Sequence, residues 1–298
     1  MGHSRSVVAA LVLLACGSGA AQAAQPWEQP GTQVGQEIVG PDEGTMVWVP
    51  AGTFRMGSTR AELAAAQVEF LFLDHRVQRL DDELQPHRVR LDGFWLSKHE
   101  VTNAQYRAFC AATGREFTSE GYQGDQHPVI WVSWEDATAY CDHYGLTLPT
   151  EAQWEYAARG PERRVFPWGD EWDPAKLCTR GNRGPGGTTF PVGSFPGGGS
   201  WCGALDLAGN VLEWCADGYD PTYYRRSPAR NPIADPVMER VMVVVIERVV
   251  IQCAGYRVVR GGSWYSGYAM RFRGAFRDSA HPAASGDICG FRCARMVP

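Results

Sequence analysis

The chain has 298 residues, of which 44% are hydrophobic and 20% charged, and this ordinary globular composition excludes a disordered, collagenous or multi-span membrane protein. Its 34 glycines and 19 prolines predict many turns, and 11 tryptophans supply aromatic packing, so a helix bundle is not expected. With 28 basic and 33 acidic residues, the formal net charge of -5 gives no electrostatic reason to expect a nucleic-acid partner.

The N-terminal residues 1–23 have the pattern of a signal peptide. An arginine precedes the apolar run Val7–Ala15, and Ala21–Ala23 supplies a small-x-small cleavage site. The run is too short to span a bilayer, which needs about 20 apolar residues. Leu13–Cys16 also resembles a bacterial lipobox, in which Cys16 would carry a lipid anchor. Both alternatives predict a periplasmic or secreted protein without a transmembrane span.

Export places the remaining eight cysteines in an oxidising compartment, where disulfides are the expected state. The sequence contains no CxxC or HExxH motif, so a zinc site is not expected. Spacing alone does not determine which cysteines pair. The eight are Cys110, Cys141, Cys178, Cys202, Cys215, Cys253, Cys289 and Cys293.

The first predicted elements follow the leader. Residues 24–43 are polar and rich in glycine and proline, and we interpret them as a linker. Met46–Pro50 begins the first strand-like run. Ala61–Gln85 has apolar residues at roughly helical spacing among charged ones, which predicts an amphipathic surface helix. We therefore expect one folded domain over residues 44–298.

Three later segments share the pattern of short capped helices: a hydroxyl residue, a Gln or Asp three positions on, an apolar stripe and a terminal glycine. They are Thr102–Gly114, Ser133–Gly145 and Thr150–Gly160. Beyond Gly160, short apolar pieces alternate with glycine-rich runs, which predicts loops and short strands. Met238–Cys253 is dense in β-branched residues and is interpreted as a hairpin or insertion.

Several motifs then stand in one order along residues 44–298. They include Val49–Gly57, Glu100–Asn103, Pro128–Trp134, Leu148–Gly160, Gly209–Trp214, Arg260–Trp264 and Gly290–Arg292. Together they resemble the formylglycine-generating enzyme (sulfatase-modifying factor) family. The resemblance implies a single α+β domain with a C-type-lectin-like fold and little regular secondary structure.

The resemblance also implies a chemistry, in which copper and oxygen convert a sulfatase cysteine within Cys-x-Pro-x-Arg into formylglycine. That chemistry depends on two cysteines shortly after a Gly-Gly-Ser, because two thiolates can hold Cu(I) and leave room for the substrate thiol. Here Ser266 stands where the first cysteine would, and no second cysteine follows. A hydroxyl is a poor Cu(I) ligand and Met270 cannot replace two thiolates. Copper is therefore not expected.

A structural calcium site is a second implication of the resemblance. It assigns the side chains of Asp206 and Glu213 as ligands, with the backbone carbonyls of Gly209 and Val211 between them. Oxygen donors of this kind suit a hard cation. The alternative is a capped turn whose acids are solvated or paired. A second calcium site of the family is expected to be lost, because Cys178 replaces its asparagine.

The family resemblance further implies one disulfide, between Cys141 and Cys293. The other structural pair of the family is missing at both ends, where Ala158 and Gly274 stand. The pairing of the other six cysteines stays open.

The groove that would hold the catalytic cysteines is expected to bind a ligand instead. Guanidinium groups beside aromatic rings suit carboxylate, sulfate or another planar anion. The alternative is that these arginines pair with local acids such as Asp278 and Asp287. The residues expected to border the groove are Ser263, Trp264, Tyr265, Ser266, Arg260, Arg271 and Arg273.

Three functions are compatible with these patterns. The first is a binding or maturation accessory for another extracytoplasmic protein or a small metabolite. The second is an oxidase that forms formylglycine, or another oxidoreductase with a different metal arrangement. The third is a purely structural lectin-like surface module.

Overall fold

A computed structural model describes residues 24–67, 81–117, 124–184, 186–235 and 255–297. Two predicted features, the signal peptide over residues 1–23 and the β-branched run Met238–Cys253, lie outside the described residues. Within those ranges, no helix has the length and apolar character needed to cross a membrane.

The three predicted capped helices are confirmed. In each, the cap hydroxyl accepts a hydrogen bond from the backbone N–H three residues on, and the side chain at that position accepts one from the backbone N–H of the cap. The cap and its partner are Thr102 with Gln105, Ser133 with Asp136, and Thr150 with Gln153. The α-helices of the described residues are α1 (Arg60–Gln67), α2 (Asn103–Thr113), α3 (Trp134–His143) and α4 (Glu151–Arg159).

The predicted helix over Ala61–Gln85 is wrong in its last part. Residues 68–80 lie outside the described residues, and Asp81–Glu83 form a 3₁₀ turn that Gln85 follows with a φ of 81°. Acids of this turn face inward, where Tyr219 and Arg273 donate hydrogen bonds to them. The turn is therefore held by buried polar contacts and not by an amphipathic surface.

Within the described residues, ten short strands form three sheets. The first sheet has the order β1-β2-β5-β10 and the third has the order β8-β7-β6-β9, in which only β6 and β9 are parallel. The second sheet is the antiparallel pair of β3 and β4. The strands are β1 (Glu37–Val39), β2 (Thr45–Val49), β3 (Gly52–Met56), β4 (His87–Leu91), β5 (Phe94–Ser97), β6 (Leu212–Gly218), β7 (Arg257–Arg260), β8 (Asp278–Ala280), β9 (Cys289–Gly290) and β10 (Ala294–Met296).

Part of the predicted linker, residues 24–43, belongs to the first sheet. Strand β1 pairs antiparallel with β2, with Glu37 opposite Val47. Asp42 is buried and accepts a hydrogen bond from the Tyr140 hydroxyl at 3.0 Å. A three-residue strand in a polar, glycine-rich stretch leaves no periodic signal in the sequence, which is why composition alone suggested a linker.

The core is dominated by aromatic side chains, as the tryptophan content predicted. Trp95, Trp154 and Trp214 are almost fully buried and join the helices to the sheets. After α4, the described chain contains strands and 3₁₀ turns but no further α-helix, as the glycine-rich pattern predicted. The mixture of short helices and separate sheets is the predicted α+β architecture.

Candidate ligand-binding site

A tight turn after β7 forms the centre of the site. Gly261 and Gly262 have φ values of 96° and 70°, and a Cβ at Gly262 would lie 2.7 Å from Cδ1 of Phe272. Glycine adopts these positive φ values without strain, and it has no Cβ that would meet the Phe272 ring. The turn closes when Ser266 donates its backbone N–H to the Ser263 carbonyl at 2.9 Å and its hydroxyl accepts from the Ser263 N–H at 3.2 Å.

The structure brings the four residues predicted after Gly262 together in this turn. Ser263 and Trp264 are mostly buried, whereas Tyr265 is 55% exposed. Trp264 donates its backbone N–H to the Asn210 carbonyl and its indole N–H to the Asp287 carbonyl, both at 2.8 Å. The turn is thus anchored by the indole and presents the Tyr265 ring to solvent.

The three arginines predicted at the groove lie in different environments, because Arg260 and Arg273 are buried and Arg271 is exposed. Arg260 is fully buried and donates to Glu155 at 2.7 Å. Arg273 is also buried, and two of its nitrogens bind the carboxylate of Glu83. Buried acids therefore balance the charges of both.

Arg271 is the exposed member of this group. Its Nη1 lies 3.5 Å from Oδ2 of Asp278, which is a loose, solvent-exposed contact of the kind that contributes little. This is the pairing that the alternative interpretation described. Arg271 lies in the next 3₁₀ turn, Ala269–Phe272, and its side chain is exposed.

Two arginines that the sequence did not single out lie against the same turn. The guanidinium carbon of Arg180 is 5.5 Å from the Tyr265 ring centroid, and that of Arg183 is 5.8 Å from the Trp264 ring centroid. The backbone N–H of Arg180 donates to the Ser266 carbonyl at 2.9 Å. Both side chains are exposed, and within the described ranges no carboxylate forms an ion pair with either.

No local pattern could have assigned these two arginines to the site. They belong to a glycine-rich run that predicts turns, and more than 80 residues separate them from Tyr265 and Ser266. Asn210 connects the turn that carries Trp264 to the segment around Phe190. Its backbone carbonyl accepts the Trp264 N–H, and its side-chain amide exchanges hydrogen bonds with the backbone of Phe190.

The predicted calcium ligands lie nearby but fit a cation only in part. Asp206 is buried, and its Oδ2 accepts the Gly193 N–H at 2.6 Å. Glu213 is already saturated: Arg292 binds both carboxylate oxygens, at 2.6 and 2.7 Å, and Trp154 donates to Oε2 at 2.8 Å. The carboxylate of Glu213 is therefore not available as a calcium ligand without loss of these contacts.

The rest of the predicted calcium turn keeps an unusual backbone. Asp206, Gly209 and Asn210 have φ values of 59°, 82° and 58°, and a Cβ at Gly209 would lie 2.3 Å from the Cys178 carbonyl oxygen. The predicted carbonyl donors, Gly209 and Val211, belong to this turn. Over the described part of the chain, no three His, Cys, Asp or Glu side chains converge to hold a metal by themselves.

The predicted disulfide partners are in contact. The Sγ atoms of Cys141 and Cys293 are 3.4 Å apart and both residues are buried. Their pairing stays a prediction. The other described cysteines are also buried, and burial raises the pKa of Cys178 to about 12, so its thiol is neutral at physiological pH.

Comparison with known proteins identifies the family. A family model described as sulfatase-modifying factor enzyme 1-like domain matches residues 32–297. This chain belongs to the sulfatase-modifying factor family. The formylglycine-generating enzyme of Streptomyces coelicolor is 33% identical over 308 aligned positions, which cover 83% of this chain and 88% of the relative.

Other members of the sulfatase-modifying factor family extend the comparison. The formylglycine-generating enzyme of Mus musculus is 29% identical, over 84% of this chain and 74% of the relative. Among solved structures, PvdO from Pseudomonas aeruginosa superposes with a TM-score of 0.68 and 28% identity, covering 90% of this chain and all of that one. The predicted family and fold class are thereby confirmed.

A two-thiolate copper centre needs soft sulfur donors. The Ser263–Ser266 turn offers hydroxyl and carbonyl oxygens, which are hard donors and poor ligands for Cu(I). The described cysteines are buried, and none of them belongs to this turn. These residues do not fit a two-thiolate copper centre at the turn.

Proposed function

We propose that this chain is an exported binding or maturation accessory of the sulfatase-modifying factor family. It recognises a carboxylate, sulfate or similar anionic group on another extracytoplasmic protein or on a small metabolite, and it does not oxidise cysteine. The observation that carries the proposal is the pair of exposed guanidinium groups of Arg180 and Arg183, which lie over the rings of Tyr265 and Trp264.

The chemistry of the turn supports an anionic ligand. Planar guanidinium groups donate paired hydrogen bonds to carboxylate and sulfate oxygens, and stacking on an aromatic ring holds their orientation. The Ser266 hydroxyl, between the same segments, adds a neutral hydrogen-bonding group. Arg271, loosely held by Asp278, adds an exposed cation in the 3₁₀ turn Ala269–Phe272 that follows.

The binding test uses inorganic sulfate and benzoate as probes of the two anion classes. Isothermal titration of the mature chain at constant ionic strength is compared with R180Q, R183Q and the double variant. Each charge-assisted contact contributes about 1.5–3 kcal/mol, so each single variant should weaken binding about tenfold or more. R107Q is the control, because Arg107 is likewise an exposed arginine over an aromatic ring, that of Phe117, but it differs in that Asp125 pairs with it at 2.7 Å.

The result that would overturn the anion site is equal affinity of the wild type and the double variant for both probes. Absence of saturable binding to the wild type would overturn it as well. Loss of binding in R107Q to the same degree would show that the effect is general surface electrostatics.

The rival function is the oxidase, which the identity to the Streptomyces coelicolor formylglycine-generating enzyme favours. The purified chain is incubated with Cu(I), oxygen and a Cys-x-Pro-x-Arg peptide, and the peptide is weighed by mass spectrometry. We expect no aldehyde, because Ser266 replaces the first thiolate. Catalytic formation of the aldehyde would overturn the accessory function.

A structural calcium ion beside Asp206 is a separate part of the proposal. Asp206 is a buried carboxylate in a turn that also carries the Gly209 and Val211 carbonyls, and such hard oxygens suit calcium. The ion would hold this turn, and through Asn210 the neighbouring Trp264, in place. Chelation should therefore lower the melting temperature.

A further inference from the structure

A cavity of about 370 Å³ is bordered by α1, the segment 165–172 and the 3₁₀ turn Ala269–Phe272. Small-molecule sites in proteins have volumes of about 300–1,000 Å³, so this cavity is large enough for a small ligand. Its wall is mainly apolar and includes Phe166, Trp172 and Met270. A wall of this kind suits an aromatic or short alkyl group.

Neighbouring rings hold the aromatic part of this wall in place. The Trp172 ring stacks on Phe272 with 5.6 Å between centroids, and the Phe166 ring lies 5.4 Å from Trp172 at an angle. Phe166 also stacks on Trp168 at 5.2 Å. These contacts orient the rings before a ligand arrives, which reduces the ordering cost of binding.

Three of the five charged side chains that border the cavity are already compensated. Each forms an ion pair with an oppositely charged side chain, so none of the three requires a charged ligand. The compensated groups and their partners are Arg159 with Glu155, Arg273 with Glu83, and Glu62 with Arg163.

The other two charged side chains, Asp170 and Glu171, are exposed acids on the border of the cavity. Across the described ranges, no arginine, lysine or histidine forms an ion pair with either. Asp170 is held in position because its Oδ1 accepts the Val165 N–H at 3.0 Å. The Trp168 indole N–H fixes the backbone at Glu171 by donating to its carbonyl at 2.9 Å. An apolar cavity thus carries two uncompensated negative charges at its border.

We propose that this cavity binds a small organic cation in which an ammonium group is attached to an aromatic or short alkyl body. The body packs against the apolar wall, and the ammonium group lies beside Asp170 and Glu171. A cation is attracted both by these carboxylates and by the electron-rich face of an indole such as Trp172. The ligand is opposite in charge to the anion proposed for Arg180 and Arg183, and the inference does not depend on that site.

The experiment compares three probes that share a phenyl ring and differ in charge. Phenethylamine is a cation at neutral pH, 2-phenylethanol is neutral and 3-phenylpropionate is an anion. Each probe is titrated into the full mature chain by isothermal titration calorimetry at constant ionic strength. We expect phenethylamine to bind at one site per chain, 2-phenylethanol to bind about tenfold more weakly, and 3-phenylpropionate to bind more weakly still.

Charge variants test the role of the two acids. D170N retains an oxygen that can accept the Val165 N–H, so the local fold should be kept. Each of D170N and E171Q should weaken phenethylamine binding about threefold, and the double variant about tenfold. The matched control is D142N/E116Q, which removes two exposed acids that do not border the cavity. Binding of the neutral 2-phenylethanol should be equal in all these variants.

A steric pair of variants locates the ligand. Ala64 and Ala65 are exposed neighbours on α1, and of the two only Ala65 borders the cavity. A65F should therefore obstruct the cavity and weaken binding of both phenethylamine and 2-phenylethanol, whereas A64F should leave both unchanged. R180Q/R183Q should bind phenethylamine as the wild type does, because neither arginine borders the cavity.

The proposal is overturned if phenethylamine shows no saturable binding to the wild type, or if the three probes bind equally. Equal weakening in D170N/E171Q and D142N/E116Q would attribute the preference to the overall charge of the protein and would also overturn it. Unchanged binding in A65F would place the ligand outside the cavity, with the same consequence. Failure of sulfate and benzoate to bind at Arg180 and Arg183 would leave this inference intact.

Discussion

Arg292 binds both oxygens of Glu213 in the interior of the protein. Its Nη2 lies 2.6 Å from Oε1 and its Nε 2.7 Å from Oε2, and neither side chain is accessible to solvent. The remaining donors of Arg292 bind the carbonyls of Ser97, Lys98 and Leu205. One side chain thus connects β6, the end of β5 and the segment before β10.

Removal of this arginine should be strongly destabilising. R292M would leave Glu213 as a buried charge beside Glu100 and Asp206, and loss of one partner of a buried pair costs about 3–5 kcal/mol. Urea denaturation at pH 7 measures the change in the free energy of unfolding. R230M is the control, because Arg230 pairs with Asp92 at the surface and should contribute about 0–1 kcal/mol. Equal losses in the two variants would contradict a special role for the buried pair.

The contact between Cys141 and Cys293 predicts a disulfide between them in an oxidising compartment. Closing a loop of this length stabilises the fold by about 4–5 kcal/mol in the chain-entropy model. A reducing agent should therefore lower the melting temperature of the wild type, but not that of the C141S/C293S double variant. C110S should keep the sensitivity to reduction. A non-reducing peptide map that finds Cys141 as a free thiol would disprove the pairing.

Asp82 should make stability depend on pH. Burial raises its pKa from 3.8 to about 6, against the opposing effect of Arg277, and one of its oxygens is unpaired. Because the folded state holds this proton more tightly than the unfolded state, its contribution to stability is lost as pH rises from about 4 to about 6. D82N removes that dependence.

The expected size of the effect is on the order of 2–3 kcal/mol between pH 4 and pH 7. Denaturant titrations in chelator, at half-unit pH steps, compare the wild type with D82N. D92N serves as control, because Asp92 lies at the surface and hydrogen bonds from Asn231 and Arg230 lower its pKa. The prediction is refuted if the difference in unfolding free energy between the wild type and D82N stays constant from pH 4 to pH 7.

Gly262 should not tolerate a side chain. G262A adds a Cβ that would meet the Phe272 ring at 2.7 Å in a backbone with φ of 70°, so strain and overpacking together should cost about 2–4 kcal/mol. G114A has a similar φ of 73° but open space around the Cβ, so it should cost only about 1 kcal/mol. Thermal and urea unfolding of both variants test the difference, and equal costs would show that the Phe272 contact relaxes.

Local sequence was sufficient wherever the interacting groups are close in the chain. A hydroxyl cap and its partner lie three residues apart, so the helices that begin after Thr102, Ser133 and Thr150 were predictable without any knowledge of the fold. The family and its α+β class were likewise predictable, because many short motifs typical of the family follow one another in the expected order along the chain.

Sequence was not sufficient where burial decides the role of a charge. Glu83 and Arg273 pair across 190 positions, which turned a predicted surface helix into a buried turn and removed a predicted ligand-binding arginine. Part of the predicted linker is the strand β1, which the sequence did not reveal because three residues in a polar stretch carry no periodic signal.

The sequence alone established the family, the capped helices and the replacement of the first copper cysteine by Ser266. Only the tertiary structure decided which charges are exposed beside that serine, Arg180 and Arg183, and which acid is already occupied by a buried arginine, Glu213. The physical reason is that the free energy of a charge depends on its solvent and its neighbours, and both are set by the path of the folded chain.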